Sequence, residues 1–283
     1  MPKSKWNLNT IYISERLQES LRPISRCAMT TVVAPMGYGK TTAVEWYLAE
    51  RAGAEAPYIV RISVYSSNLA IFWKSVQDAF ARAGFAFLRE YDCPTDGASG
   101  GLLIDDLCHA LTGEKSCYIF IDDFHLLTDK RAPGFLCALA GRLPPNVHLI
   151  LASRDLFLPA AELVRLGGKV YQIGTAQLRL NHTELAVYTK RCGTALSDEQ
   201  IDTLLYYSEG WFSAVYLNLR MFSEHGVLPD PNSDISSIFT AAMIDPLPEK
   251  QREFLAVMGL ADEFTVEMAQ FVMADAHAEN LLA

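Results

Sequence analysis

Short apolar runs alternate with amphipathic segments over the first part of this chain. The runs are rich in β-branched and aromatic residues, whereas the segments between them carry apolar residues at three- and four-residue steps. The apolar runs are typical of buried strands, and the segments between them are typical of amphipathic helices. The alternation therefore predicts an α/β fold with a parallel sheet and flanking crossover helices. The predicted strands are Thr30–Ala34, Tyr58–Val64, Tyr118–Asp122, Val147–Ala152 and Val170–Ile173. The predicted helices between them are Ala43–Arg51, Ala70–Ala83, Leu102–Leu111 and Phe135–Leu143, and a loop is predicted over Cys93–Gly101.

Beyond about Ala176 the strand pattern stops and only helical periodicity remains. Gly226–Ser233, rich in proline and aspartate, predicts a linker. Glu279–Ala283 has the pattern of a helix interior without a cap, so we expect the chain to be a piece of a longer protein. The predicted helices are Thr183–Arg191, Asp198–Tyr207 with Ser197 as N-cap, Trp211–His225, Ile235–Ile244 and Glu249–Met258.

Composition narrows the class of protein. Of the 283 residues, 50% are hydrophobic and 20% charged, which excludes a disordered chain. The formal net charge of −9 argues against nucleic-acid binding by this segment alone, because a protein needs a basic surface to neutralise the phosphates. No apolar run is as long as a membrane span and Met1–Thr10 lacks an apolar signal core, so we expect a cytoplasmic protein with no membrane partner. Six cysteines without paired spacing indicate reduced thiols.

The segment Ala34–Thr42 predicts a phosphate-binding loop, because it connects a buried-type strand to a helix. Small residues let backbone amides surround an anion, and the following helix directs its positive end at the same place. Lys40 is expected to reach the β- and γ-phosphates, and the Thr41 hydroxyl to hold Mg²⁺. Ala34 stands where the usual motif has glycine, and a surface turn with a solvated lysine is the competing interpretation. The residues expected to hold the nucleotide are Gly37, Tyr38, Gly39, Lys40, Thr41 and Thr42.

Two carboxylates follow the third predicted strand. At the C-terminal end of a parallel strand, Asp122 would face the ligand crevice and contribute to a Mg²⁺ site with Thr41. Asp123 is the candidate to polarise an attacking water. The alternative is that both acids merely begin a polar turn, and His125 is interpreted as a turn residue rather than a base.

Arg154 follows the fourth predicted strand. Its permanent charge and planar shape make it a candidate sensor of the γ-phosphate, able to distinguish ATP from ADP. A salt bridge to Asp155 or Glu162 is the structural alternative. Lys40, Asp123 and Arg154 are therefore the candidate catalytic residues.

Together these motifs resemble a family. The loop A-P-x-G-Y-G-K-T-T, the strand I-D-D-F-H, the strand end L-A-S-R, Leu178–Leu180 before Glu184, and Glu209–Trp211 are similar to motifs of the STAND signal-transduction ATPases. Among these, the likeness is strongest to the large ATP-binding LuxR-type regulators of bacteria, over most of 1–228. One departure is the absence of a proline soon after Gly210, which leaves open whether the lid touches the nucleotide.

The resemblance implies an architecture and a ligand. It implies that the Arg154 strand lies between the phosphate-loop strand and the Asp122 strand, followed by an all-α helical lid and the start of a winged-helix-like module. We expect a P-loop domain over 1–175, the lid over 176–228 and the module from 229 to 283. The implied ligands are ATP or ADP with Mg²⁺, and Tyr12 and Arg16 become candidates to border adenine. Full-length relatives bind DNA through a C-terminal domain absent from this chain, and self-association on activation is left open.

Three functions remain compatible with these residues. The first is a signalling switch, in which slow ATP hydrolysis resets the arrangement of domains. The second is a phosphotransferase acting on a small molecule, although the segment Thr183–His225 has few basic residues for a lid. The third is a scaffold that retains ADP and never hydrolyses ATP.

Overall fold

The computed structural model describes residues 6–226, 247–260 and 264–275, with isolated residues at 228, 240 and 244. The chain divides into two compact units. One is Asn9–Tyr188, and the other combines Met1–Leu8 with Thr189–Ala283. The predicted linker at 226–233, the helix predicted over 235–244 and the end of the chain lie largely or wholly outside the described residues.

The first unit is built on a parallel sheet of five strands in the order β2-β3-β4-β1-β5. The fourth strand pairs with the first and the third, so the strand preceding Arg154 lies between the phosphate-loop strand and the strand of Asp122, as the resemblance implied. Strands β3 and β4 are buried throughout, which explains why their sequences are continuously apolar. The strands are β1 Met29–Val33, β2 Tyr58–Ser63, β3 Cys117–Asp122, β4 Val147–Ser153 and β5 Val170–Ile173.

Helices cover both faces of this sheet. In the first unit they are α1 Glu15–Leu21, α2 Lys40–Glu55, α3 Leu69–Arg82, α4 Gly97–Leu111, α5 Arg131–Arg142, α6 Ala160–Leu166 and α7 Thr175–Leu178. Helix α8, His182–Arg191, continues into the second unit. Short 3-10 turns lie at Arg22–Arg26, Ala86–Glu90, Phe124–Leu126 and Gly167–Lys169.

The alternation of side chains along the central strands divides the core into two layers. On one face, Ile119 and Ile121 pack with α3, α4 and α5. On the other face, Tyr118 and Phe120 pack with α1 and α2. The same strand therefore borders an apolar helical layer on one side and the helix of the phosphate loop on the other.

The loop predicted over Cys93–Gly101 is partly wrong. Helix α4 begins at Gly97, with the Asp96 side chain accepting a hydrogen bond from the Ser99 amide at 2.8 Å. This capping box offsets the low helix propensity of the glycines that follow. Helices α1, α6 and α7 were not predicted, because each has only four to seven residues, too few to establish a helical period.

The second unit is helical in its described part. Its further helices are α9 Asp198–Ser208, α10 Phe212–His225, α11 Glu249–Met258 and α12 Val266–Met273. Ser197 caps α9 by accepting from the Gln200 amide, as predicted. Phe254 and Met258 of α11 pack with Ala269 of α12. None of the described helices has the length and apolarity needed to span a membrane.

Candidate nucleotide-binding site

The loop between β1 and α2 has the backbone of a phosphate-binding loop. Gly37 and Gly39 adopt left-handed angles, φ 81° and 75°, which side chains with a Cβ rarely take. Gly39 is the N-cap of α2, and no side chain caps that helix end. The positive end of a long helix therefore faces the loop, an arrangement that favours an anion.

Lys40 is folded back over this loop. Its side chain is only 8% exposed, and Nζ donates to the carbonyl oxygens of Ala34 at 2.8 Å and Pro35 at 3.0 Å. Burial lowers the pKa of Lys40, and the charge of Arg154 lowers it further, while Asp122 and Asp123 raise it. The ammonium group is thus held at the loop by main-chain acceptors that an anion can replace.

Asp122 and Thr41 are joined across the crevice. The Thr41 hydroxyl donates to Asp122 Oδ2 at 2.8 Å, and the Asp123 amide donates to Oδ1 at 2.9 Å. Burial raises the pKa of Asp122, and these hydrogen bonds oppose that rise by stabilising the carboxylate. A carboxylate and a hydroxyl are oxygen donors of the kind that Mg²⁺ prefers, so the pair fits the metal role predicted for it.

Asp123 and His125 form the far side of the acidic turn. Asp123 has a left-handed backbone, φ 53°, and its side chain is about half exposed. His125 lies in the 3-10 turn, with Nδ1 3.9 Å from Asp123 Oδ1. Both ring nitrogens of His125 are buried and have no hydrogen-bond partner among the described residues. Burial, and then the charge of Arg154, lower the pKa of His125, so the ring is neutral at pH 7.

Arg154 lies at the same edge of the sheet. It follows β4, whose last residue, Ser153, is paired with Val33 immediately before the loop. The side chain is exposed, and within the described residues it makes no ion pair with Asp155 or Glu162; Glu162 pairs with Arg165 at 2.6 Å. Arg154 thus lies close enough to influence Lys40 and His125 without a salt bridge of its own.

The remaining predicted residues occupy the first turn of α2 and the loop before it. Thr42 is exposed one residue after Thr41. Tyr38 is partly buried against the core layer that contains α1 and α2. The structure therefore brings the predicted loop, acid and arginine residues to one edge of the sheet, where parallel α/β proteins bind ligands.

One polar cluster was missed. Arg16 makes a bidentate ion pair with Glu184, Nε to Oε1 at 2.8 Å and Nη2 to Oε2 at 2.9 Å, and also donates to the Arg179 carbonyl at 2.6 Å. Burial alone would raise the pKa of Glu184, but hydrogen bonds from Arg16, Ser14 and the Asn181 amide lower it. The Arg16 guanidinium, a candidate adenine neighbour, thus ties α1 to the segment leading into α8. The only signal was the spacing of Leu178–Leu180 and Glu184.

Comparison with known proteins gives two kinds of relatives. The HTH-type transcriptional regulator MalT of Vibrio campbellii is 20% identical over 92% of this chain and 30% of that protein. MalT of Yersinia pestis is 23% identical over 74% of this chain and 23% of that protein. This chain is similar to part of the MalT regulators. It spans less than a third of their length, and no protein-family model matches it.

Comparison with solved structures gives the fold of this chain. A Walker-type ATPase of Pyrococcus abyssi superposes with a TM-score of 0.52 at 12% identity, covering 92% of this chain and 77% of that one. Cdc6p of Pyrobaculum aerophilum gives 0.50 at 13% identity, covering 100% and 87%. The chain has the parallel-sheet fold of a P-loop ATPase with helices beyond the sheet.

Proposed function

We propose that this chain is the ATP-binding, slowly hydrolysing switch portion of a LuxR-type transcriptional regulator. The observation that carries the proposal is the Thr41–Asp122 hydrogen bond of 2.8 Å beside the buried Lys40. It joins the first turn of α2 to the end of β3, the two places that supply phosphate and metal ligands in a P-loop site.

The roles of the residues follow from their positions. The amides at Gly37 and Gly39 and the Lys40 ammonium bind the phosphate chain, and Tyr38 and Thr42 complete the loop. Mg²⁺ supplies charge neutralisation of the phosphate oxygens, and Thr41 and Asp122 hold it.

Hydrolysis and sensing are assigned to the other two charged residues of the site. Asp123 orients water toward the γ-phosphate, and its half-exposed carboxylate is accessible to that water. Arg154, exposed and without an ion pair among the described residues, contacts the γ-phosphate and discriminates ATP from ADP.

Nucleotide state is proposed to bias the arrangement of the P-loop domain at 1–175, a helical lid at 176–228 and a winged-helix-like module from 229 to 283. A ligand shifts such an equilibrium only by its differential affinity for the two states. DNA-binding output would then come from a C-terminal domain outside this chain, in the cytoplasm, with self-association as one route to activation. The MalT relatives, named as HTH-type transcriptional regulators, support this proposal.

The first experiment identifies the ligand. Nucleotide released from the purified, denatured chain is separated by ion-exchange chromatography. We expect ADP or ATP, because the chain lacks the N-K-x-D motif that reads guanine. A guanine nucleotide alone, or no retained nucleotide together with no ATP binding in a titration, would contradict the proposal.

Phosphate release separates the switch from its alternatives. The unaltered chain should release phosphate slowly without any acceptor, and Asp123→Asn should reduce the rate by about a hundredfold, within the usual range for one positioned acid–base group. Asp129→Asn is the matched control, because that carboxylate is paired with Arg131 and lies outside the crevice. A scaffold would show no release in any variant, and a phosphotransferase would need an acceptor.

A further inference from the structure

A cavity of about 400 Å³ that is partly open to solvent lies in the first unit, on the face of the sheet opposite α2. Its walls come from α3, α4, α5 and the apolar side of the sheet. None of Lys40, Thr41, Asp122 or Arg154 lines it. The apolar and aromatic residues that line it include Phe72, Trp73, Phe80, Leu103, Ile104 and Phe135.

The polar atoms beside this cavity already have partners. Trp73 Nε1 donates to the Tyr91 carbonyl at 3.0 Å. Near the margin, Arg131 pairs with Asp129 at 2.7 Å and donates to the Thr95 carbonyl at 3.3 Å. The interior therefore offers an entering molecule dispersion contacts and apolar burial rather than an ionic partner.

Glycines line the cavity where side chains would fill it. Gly97, Gly100 and Gly101 belong to the first turns of α4, and Gly134 belongs to α5. A Cβ built at Gly101 or Gly134 meets no atom within 4 Å, whereas one at Gly100 would touch Phe135 at 3.5 Å. Gly101 and Gly134 line the cavity and have room for a side chain, so larger residues there test whether the cavity binds a ligand.

Apolar atoms that line a partly open cavity are in contact with solvent, and covering them with an apolar molecule is favourable by about 25 cal/mol per Å² of apolar area removed from water. A cavity of about 150 Å³ lined by apolar side chains takes up benzene. The present volume of about 400 Å³ matches a molecule of two or three rings.

We propose that this cavity is a binding site for an uncharged, largely aromatic or alicyclic small molecule of two or three rings. The proposal does not depend on the proposed nucleotide function, because the cavity lies on the other face of the sheet. Its ligand is recognised by shape and apolar contact.

The test is a fluorescence titration of the full chain with N-phenyl-1-naphthylamine, a neutral three-ring probe whose emission rises in apolar surroundings. We expect saturable binding of one probe per chain. Gly101→Leu places a side chain into the cavity from α4 and should weaken binding by about tenfold or more, equivalent to about 1.4 kcal/mol. Gly134→Leu should do the same from the opposite wall.

Gly53→Leu is the matched control. Gly53 is a helical glycine of α2, a Cβ there also meets nothing within 4 Å, and it lies outside the cavity. It should bind the probe as the unaltered chain does. Circular dichroism checks that each variant is folded. If Gly101→Leu does not fold, Gly101→Ala is the milder substitution that replaces it. Absence of saturable binding, or equal affinity in Gly101→Leu, Gly134→Leu and Gly53→Leu, would overturn the proposal.

Discussion

The two faces of one sheet hold their side chains in contrasting ways. At the carboxyl edge beside α2, the buried polar groups Lys40 and Asp122 are each paired with loop carbonyls, a hydroxyl or an amide. On the opposite face, the walls around the cavity are apolar and the space between them is unfilled. Hydrogen-bonded polar groups hold a fixed geometry, whereas apolar walls can contact any molecule of suitable shape. The two proposed sites would therefore differ in what they select, one by charge and the other by shape and size.

The largest effect on ligand affinity that we expect is at the polar edge. Lys40→Ala removes the ammonium group from the loop and should weaken both ATP and ADP binding by about a hundredfold, close to 2.7 kcal/mol. The measurement is isothermal titration with each nucleotide. Lys74→Ala is the control, since that lysine is 65% exposed and pairs only with Asp78 among the described residues. Unchanged affinity in Lys40→Ala would show that the loop is not the phosphate site.

The two core layers should respond differently to the same truncation. Leu48→Ala, at a fully buried position of α2, should cost about 3 kcal/mol, because it opens a new cavity in a packed layer. Leu103→Ala, at the existing cavity wall, should cost about 2 kcal/mol, because part of its surroundings is already empty. Urea unfolding gives both values. Equal losses would indicate that the cavity closes in solution.

The Arg16–Glu184 pair adds a pH-dependent prediction. The pKa of Glu184 in the folded state is below its ordinary value of 4.5, which stands for the unfolded state. The ionised carboxylate therefore stabilises the fold above pH 4.5, and this stabilisation is lost as the pH falls through the folded-state pKa. Glu184→Gln should cost about 2 kcal/mol at pH 7, a figure reduced because Arg16 is 39% exposed.

Urea unfolding from pH 7 to pH 3 tests this window. The difference between Glu184→Gln and the unaltered chain should shrink below pH 4.5. Glu55→Gln, at a 43% exposed residue paired with Arg51, should change stability by about 0.5 kcal/mol at most. A difference that stays constant with pH would assign the loss to packing rather than charge.

The smallest effect concerns discrimination at the polar edge. Arg154→Ala should leave ADP affinity nearly unchanged and weaken ATP binding by about tenfold, or 1.4 kcal/mol. Parallel titrations with ADP and a non-hydrolysable ATP analogue measure the ratio. Arg142→Ala, which removes an arginine from the cavity side, is the control. Equal losses for both nucleotides would remove Arg154 from the sensing role.

Most of the sheet could be predicted because its strands are continuous apolar runs between helical patterns. The bounds of the predicted strands differ from the observed ones by one residue at most, and β5 coincides with its prediction. The positions of the loop, acid and arginine residues in the fold could be predicted because each directly follows a strand or precedes a helix. The parallel topology of the sheet brings these residues to one edge of it.

What could not be predicted depends on contacts between distant segments. Arg16 and Glu184 are 168 residues apart, and neither lies in an apolar pattern that marks a partner. The cavity depends on how helices α3, α4 and α5 pack, which no local pattern reveals. Glycines that line it cannot be told apart in the sequence from glycines in a loop. The first turn of α4 was missed for the same reason, since only the Asp96–Ser99 capping box reveals it.

The position of β4 has a consequence for how this protein forms during synthesis. Strand β1 is complete at residue 33, yet its two neighbours in the sheet begin only at residues 147 and 170. The phosphate loop therefore leaves the ribosome long before the strands that will flank it, and pairings so remote in sequence form slowly. A nascent chain that ends before residue 147 has no sheet partner for β1, and the edge that gathers the loop, Asp122 and Arg154 can assemble only after most of the first unit has been made.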